Sequence, residues 1–171
     1  MKLSRSIPAV LAIGMFTMSS FVAFAHGADR GTAKATVGGA NVTVDYGRPL
    51  LKGRDMLKQL PAGTPWRLGA DAATTIESDK DLDFGGTRLT KGKHILLAQH
   101  DASGKWSLIV SSKPANQYDS SAKLAEVPID FQDGKDQTEM LTLSLTGQGD
   151  KGVLEIAWGT MRLSASFSAA H

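Results

Sequence analysis

Apolar and polar residues alternate one by one in short runs along most of this chain, and glycine-rich turns separate the runs. Val42, Val44 and Tyr46 alternate with Thr43 and Asp45. Leu141, Leu143 and Leu145 alternate with Thr142 and Ser144, and Leu154, Ile156 and Trp158 with Glu155 and Ala157. A period of two places every second side chain on one face of an extended strand, so one face is buried and the other meets solvent. The pattern argues against a parallel α/β sheet, whose strands are covered on both faces and read as continuous apolar runs.

Turn chemistry divides the runs. Gly38-Gly39 joins the run of Ala33, Ala35 and Val37 to that of Val42, Val44 and Tyr46, and Gly85-Gly86 joins Leu82 and Phe84 to Leu89. Both are hairpin signals, because both turn residues can take positive φ. Further strands are predicted over residues 74–77, 94–99 and 106–110, the last two separated by a turn at 101–104. Val127, Ile129 and Phe131 share one face of another, and Pro128 predicts an edge position for it. Asp130, Asp133, Gly134 and Asp136 read as a solvated turn, since a three-residue spacing does not match the alternating ligands of a calcium loop. Separate strands follow at 141–145, 154–158 and 161–167. Met56, Leu57 and Leu60 fall at helical spacing and Pro61-Ala62-Gly63 stops them, which predicts one short helix. The sum is an all-β protein: an antiparallel β-sandwich or partly closed barrel of about ten short strands with one short helix, forming a single domain over residues 26–171.

Residues 1–25 stand outside that pattern. Lys2 and Arg5 precede an apolar run, and Ala23-Phe24-Ala25 is a small-x-small cleavage site, the features of a secretory signal peptide. Export to the periplasm or beyond the cell is therefore expected, with no membrane anchor after cleavage. The chain has 19 Lys+Arg and 17 Asp+Glu; the leader holds two of the cations and none of the acids, so the remainder is formally neutral. A neutral domain offers no electrostatic footprint for nucleic acid. There is no Cys, so disulfides are excluded and stability rests on burial.

Residues 46–75 are too rich in Arg, Trp and Gly to be plain strand and turn. Tyr46-Gly47-Arg48-Pro49, Lys52-Gly53-Arg54, Pro61-x-Gly63 and Trp66-Arg67-x-Gly69-Ala70-x-x-Ala73-Thr74-Thr75 resemble the bacterial family called domain of unknown function 2911. Gly86-x-x-Leu89-x-x-Gly92 and Trp106-x-Leu108-Ile109 extend the resemblance over most of the exported part. It implies a secreted all-β protein and carries no activity. Asp71 stands where the family often has Asn, which removes a neutral amide from that position.

Two readings of the stretch are open. In one, Arg48, Arg54 and Arg67 converge on one mouth of the sandwich, with Trp66 as a stacking face and Tyr46, Asp71 and Thr74 beside them. Guanidinium groups grip carboxylate or phosphate at two points, so the site would take a small polar or anionic ligand or a protein partner. In the other, the arginines pair with Asp45, Asp55 and Asp71 and satisfy an irregular crossover, and Trp66 plugs the core. Non-catalytic binding is the leading expectation, because no nucleophile elbow, zinc-protease motif, phosphate loop or thiol is present; no cofactor is implied. A cell-wall or sugar-directed hydrolase would use Asp45 and Asp71, tuned by neighbouring arginines. Cleavage after Ala25 would leave His26 N-terminal, where amine and imidazole suit Cu(II). His94 and His100 lie about 20 Å apart at strand rise, too far to share an ion. Glu77, Asp79, Asp81 and Asp83 read as solvated hairpin charges, and residues 116–119 as a polar loop able to line a pocket beside Trp106.

Overall fold

The computed structural model describes residues 29–170; the expected leader and His26 lie outside them. Nine strands run β1 (Arg30–Val37), β2 (Ala40–Gly47), β3 (Thr75–Ser78), β4 (Leu82–Phe84), β5 (Thr87–Leu89), β6 (Gly92–His100), β7 (Trp106–Ser111), β8 (Lys123–Gln148) and β9 (Lys151–Ala169). One helix, α1 (Met56–Gln59), lies between β2 and β3. All pairings are antiparallel, in the order β1-β2-β3-β6-β7-β8-β9-β4-β5.

The sheet does not close; it folds over at β8. The first part of β8 ladders with β7, from Lys123 to Ile129, and the rest with β9, from Asp130 to Gln148. That fold-over brings β1 against β8 and β9, and Gly38 N donates to Gly149 O at 2.8 Å. The inward-facing sets meet in one core, including Val42 and Val44 of β2, Leu96 of β6, Leu108 of β7 and Leu154 and Leu163 of β9. Leu97 and Ile109 are also buried, on strands whose core face carries their neighbours. Both predicted Gly-Gly hairpins are present, with Gly38, Gly39, Gly85 and Gly86 all at positive φ.

The described residues form nine strands, close to the expected ten or so, and the last four predicted runs are two long strands. Residues 130–136 are not a turn. They belong to β8, whose register against β9 slips between Asp133 and Thr138 and again between Thr138 and Thr142. Arg162 spans the bulge: Nη2 donates to Asp136 O at 2.7 Å, and Nη1 to Gly159 O at 3.0 Å and Met161 O at 2.9 Å. In β9 the buried positions change parity, from Leu154, Ile156 and Trp158 to Met161, Leu163 and Ala165. Gly159, at φ 59°, absorbs the extra residue, so the strand continues where the pattern suggested a break. Pro128 sits in a strand that is interior in the sheet order, not at an edge. It is tolerated there because the β9 ladder begins only at Asp130, leaving Pro128 paired to β7 alone. Phe131, expected to share the core face of Val127 and Ile129, is 37 % exposed and stacks on Trp106. No described helix is long and apolar enough to cross a membrane.

Candidate functional site

The site grows out of the two bulges. After β2 the chain leaves the sheet at Arg48 and Pro49 and adds a short rung to β8. Leu51 N donates to Glu139 O at 2.6 Å, Leu141 N donates to Pro49 O at 3.0 Å, and Leu50 bridges Met140. Lys52 and Gly53 then turn at φ 52° and 71°. Asp55 caps α1, accepting from Lys58 N, and pairs with the Lys58 ammonium at 3.0 Å. The Lys58 side chain and backbone N–H hold the Asp55 carboxyl below its ordinary value.

This turn throws Arg54 back over the strand pair. Its Nε donates to Leu51 O at 2.9 Å and Nη2 to Leu50 O at 2.7 Å, so two of its donors brace the crossover. Its guanidinium carbon lies 5.3 Å from the ring centre of Trp158, within cation–π range. Trp158 in turn stacks on Trp66, with centroids 5.8 Å apart and planes 9° from parallel. Arg54 has no carboxylate partner among the described residues.

Between the crossover and the bulged part of β8 and β9 lies a cavity of about 430 Å³. Its crossover wall includes Leu51, Arg54 and Lys58; its strand wall includes Asp133, Glu139 and Trp158. Glu139 Oε1 accepts from Lys52 N at 2.9 Å. Asp133 has no ion-pair or side-chain hydrogen-bond partner among the described residues. Trp158 is only 3 % exposed, and its Nε1–H is buried with no hydrogen-bond partner among them. A cavity of this size, apolar in part with a few charged groups, has the dimensions and make-up of small-molecule sites.

The three arginines do not converge. Arg67 lines a different, smaller recess of about 110 Å³ with Asp71, Leu97 and Asn116, and its Nη1 donates to Asp71 O at 3.3 Å. Of residues 116–119, Asn116 lines this recess with Leu97 and Arg67, not a pocket beside Trp106. Arg48 lines neither space; its Nε is buried without a partner among the described residues. The separation follows from the crossover itself: the helical turn sends Arg54 toward β9, while Trp66 bridges Ala98 of β6 and carries Arg67 to the outer side of the sheet.

Nor are the arginines paired with Asp45 and Asp55 as the second reading expected. Arg30, which the sequence did not single out, takes Asp45 as its ion-pair partner and also donates to Ala72 O at 3.2 Å. It thereby ties the turn at Asp71, where φ is 60°, to β2. Asp55 goes to Lys58. Tyr46, Trp66 and Thr74 are buried, and Thr74 Oγ1 donates to Leu68 O at 2.8 Å. Trp66 plugs the core, as that reading held, and also backs Trp158. The glycines explain why this stretch is so tight. A Cβ on Gly47 would lie 2.2 Å from Ala70 O, and one on Gly69 would lie 2.9 Å from Thr74 Oγ1 and 3.1 Å from Gly47 N.

A family model described as "Protein of unknown function (DUF2911)" matches residues 28–167. The chain belongs to the DUF2911 family. No curated protein and no solved structure matches it. In this DUF2911 domain the family-like motifs of residues 46–75 shape the crossover, while half of the cavity comes from β8 and β9. Sequence reasoning missed Trp158 and Asp133 as site residues. The parity change at Gly159 was the available signal for Trp158, since a bulge re-aims its neighbours. Asp133 gave none, because a strand bulge and a polar turn share one composition. Among the described residues no group of three His, Cys, Asp or Glu could hold a metal ion, and the copper reading at His26 lies outside them.

Proposed function

We propose that this DUF2911 protein is an exported binding protein that holds a small polar ligand, bearing an anionic group, in the cavity between the crossover and β9. The observation that carries this is Arg54: a guanidinium braced by two carbonyls, laid over Trp158, and lacking a carboxylate among the described residues. A cation fixed in place and partly shielded by an indole loses little freedom on binding, and such preorganisation favours affinity. The alternating fold supplies the rigid frame, and the irregular segment on it supplies the groups, the usual division of labour between scaffold and loop.

Binding rather than hydrolysis fits the carboxylates. Asp45 is engaged by Arg30, Asp55 caps a helix, and Asp71 lines a recess that Asp45 does not share. A thermal-shift screen with carboxylates, amino acids, phosphates and sugars tests the reading. A ligand that binds only the folded form at one hundred times its Kd adds about 2.7 kcal/mol. At least one anionic compound is expected to stabilise the wild-type protein and to lose that effect in Arg54→Gln. Silence across the panel, or an undiminished response in the variant, contradicts it.

A further inference from the structure

The charges around the cavity restrict what its occupant can be. Lys58 is neutralised by Asp55 at 3.0 Å. That leaves Arg54 as the cation without a carboxylate partner among the described lining residues, facing the same space as Asp133 and Glu139. These opposite charges are not joined to one another: no ion pair within 4.0 Å links Arg54 to either acid. A simple anion would meet Arg54 but sit in a net negative surround. A simple cation would meet the acids but also an unneutralised guanidinium. Each mismatch leaves a charged group desolvated without a partner, which is how sites reject wrong ligands. A molecule with an anionic and a cationic group satisfies both walls.

We infer that the occupant is a small amphoteric molecule of the amino-acid type, with its carboxylate on Arg54 and its ammonium on Asp133. The inference deepens the ligand reading of this same cavity and rests on it. Leu51, Met56 and Met161 add apolar lining to the same cavity, so an apolar side chain on the ligand is accommodated. Trp158 contributes its ring to the same cavity, under the Arg54 guanidinium. Asp133 is exposed and its side chain braces nothing, so it can be changed without disturbing the frame.

Calorimetric titration of the folded, exported form with matched probes tests this. The first set is leucine, isocaproate (the acid without the amine) and isopentylamine (the amine without the acid). The second is phenylalanine, hydrocinnamate and phenethylamine. In at least one set the amino acid should bind tenfold or more tightly than either truncated analogue, the scale of one charge-assisted hydrogen bond. Asp133→Asn should erase that margin over the acid and leave the binding of the acid itself in place. Arg54→Gln should weaken both. Equal affinity for amino acid and acid, or a margin unchanged in Asp133→Asn, overturns the amphoteric ligand while the anion-binding reading stands. Failure of all six probes overturns the amphoteric ligand too. Only failure of the wider carboxylate and phosphate panel as well removes the ligand reading.

Discussion

Gly47→Ala is the substitution the crossover should tolerate least among its glycines. The added Cβ would stand 2.2 Å from Ala70 O, 2.8 Å from Ala70 N and 2.9 Å from Ala70 C. Ordinary van der Waals contact for such a pair begins near 3.4 Å, so the strand end and the turn must part by more than 1 Å. Both sides are backbone. The turn at Asp71 is anchored by Arg30 to Ala72 O, and β2 is laddered to β1 and β3. Neither can move alone. Overpacking a core costs about 1–3 kcal/mol and sometimes more; with two backbone segments opposed, the upper end applies, about 3 kcal/mol. At roughly 3 °C per kcal/mol for a domain of this size, Tm should fall by about 10 °C. Gly53→Ala is the control. Its Cβ would meet nothing within 4 Å, so only the left-handed backbone at φ 71° is penalised. That costs about 1–2 kcal/mol, or roughly 3–6 °C. Thermal unfolding of the two variants followed by circular dichroism decides the matter. A Gly47→Ala protein as stable as wild type, or more stable than Gly53→Ala, refutes the close-approach explanation of this segment.

Two further outcomes are expected. Thr74→Val keeps the shape of a buried side chain but strands the carbonyl of Leu68, which is fully buried; it should cost about 1–3 kcal/mol in urea unfolding, and a midpoint equal to wild type would refute the role of that hydroxyl. Acid sensitivity should begin late. Asp79, Asp81, Asp101 and Asp119 all have carboxyls held below the ordinary 3.8, by backbone and side-chain N–H and O–H donors, and Asp119 is lowered to about 2 by the Lys113 ammonium and the Ser121 donors. In each case the unfolded chain takes up the proton first as pH falls. Their contribution is therefore whole above about pH 5 and lost through pH 4 toward 2. Tm should be flat from pH 7 to 5 as far as these groups decide it, and Asp119→Asn should flatten part of the fall below pH 4. An undiminished fall in that variant would exclude the Asp119 contribution.

The sheet was legible in the sequence because alternation has one structural meaning at strand length, and because Gly38-Gly39 and Gly85-Gly86 both sit at positive φ in tight hairpins. The breaks between strands were less legible. Gly134 among three aspartates reads as a turn whether the chain reverses or bulges, and only the long-range bonds from Arg162 to Asp136 O, Gly159 O and Met161 O distinguish the two. The candidate site was half visible for the same reason. Arg54 and Trp66 stand out by type within an irregular segment. Their convergence on Trp158, 104 positions beyond Arg54 and 92 beyond Trp66, depends on a bulge whose consequence appears only when β8 and β9 are laid side by side. Arg48 and Arg67 belonged to the same local cluster in sequence and point elsewhere in space, because a crossover that leaves one side of a sheet and returns on another disperses its own neighbours.

Trp158 is the residue on which the account turns, and it can be watched directly. The chain has 3 Trp, so its indole N–H groups give three resolvable nuclear magnetic resonance signals. Titration with the amino acids and carboxylates above should shift the Trp158 indole signal saturably and leave that of Trp106, which packs against His100 and Phe131, in place. A bound ligand that moves Trp106 instead, or that saturates the protein while the Trp158 signal stays fixed, would put the binding site elsewhere and contradict the account.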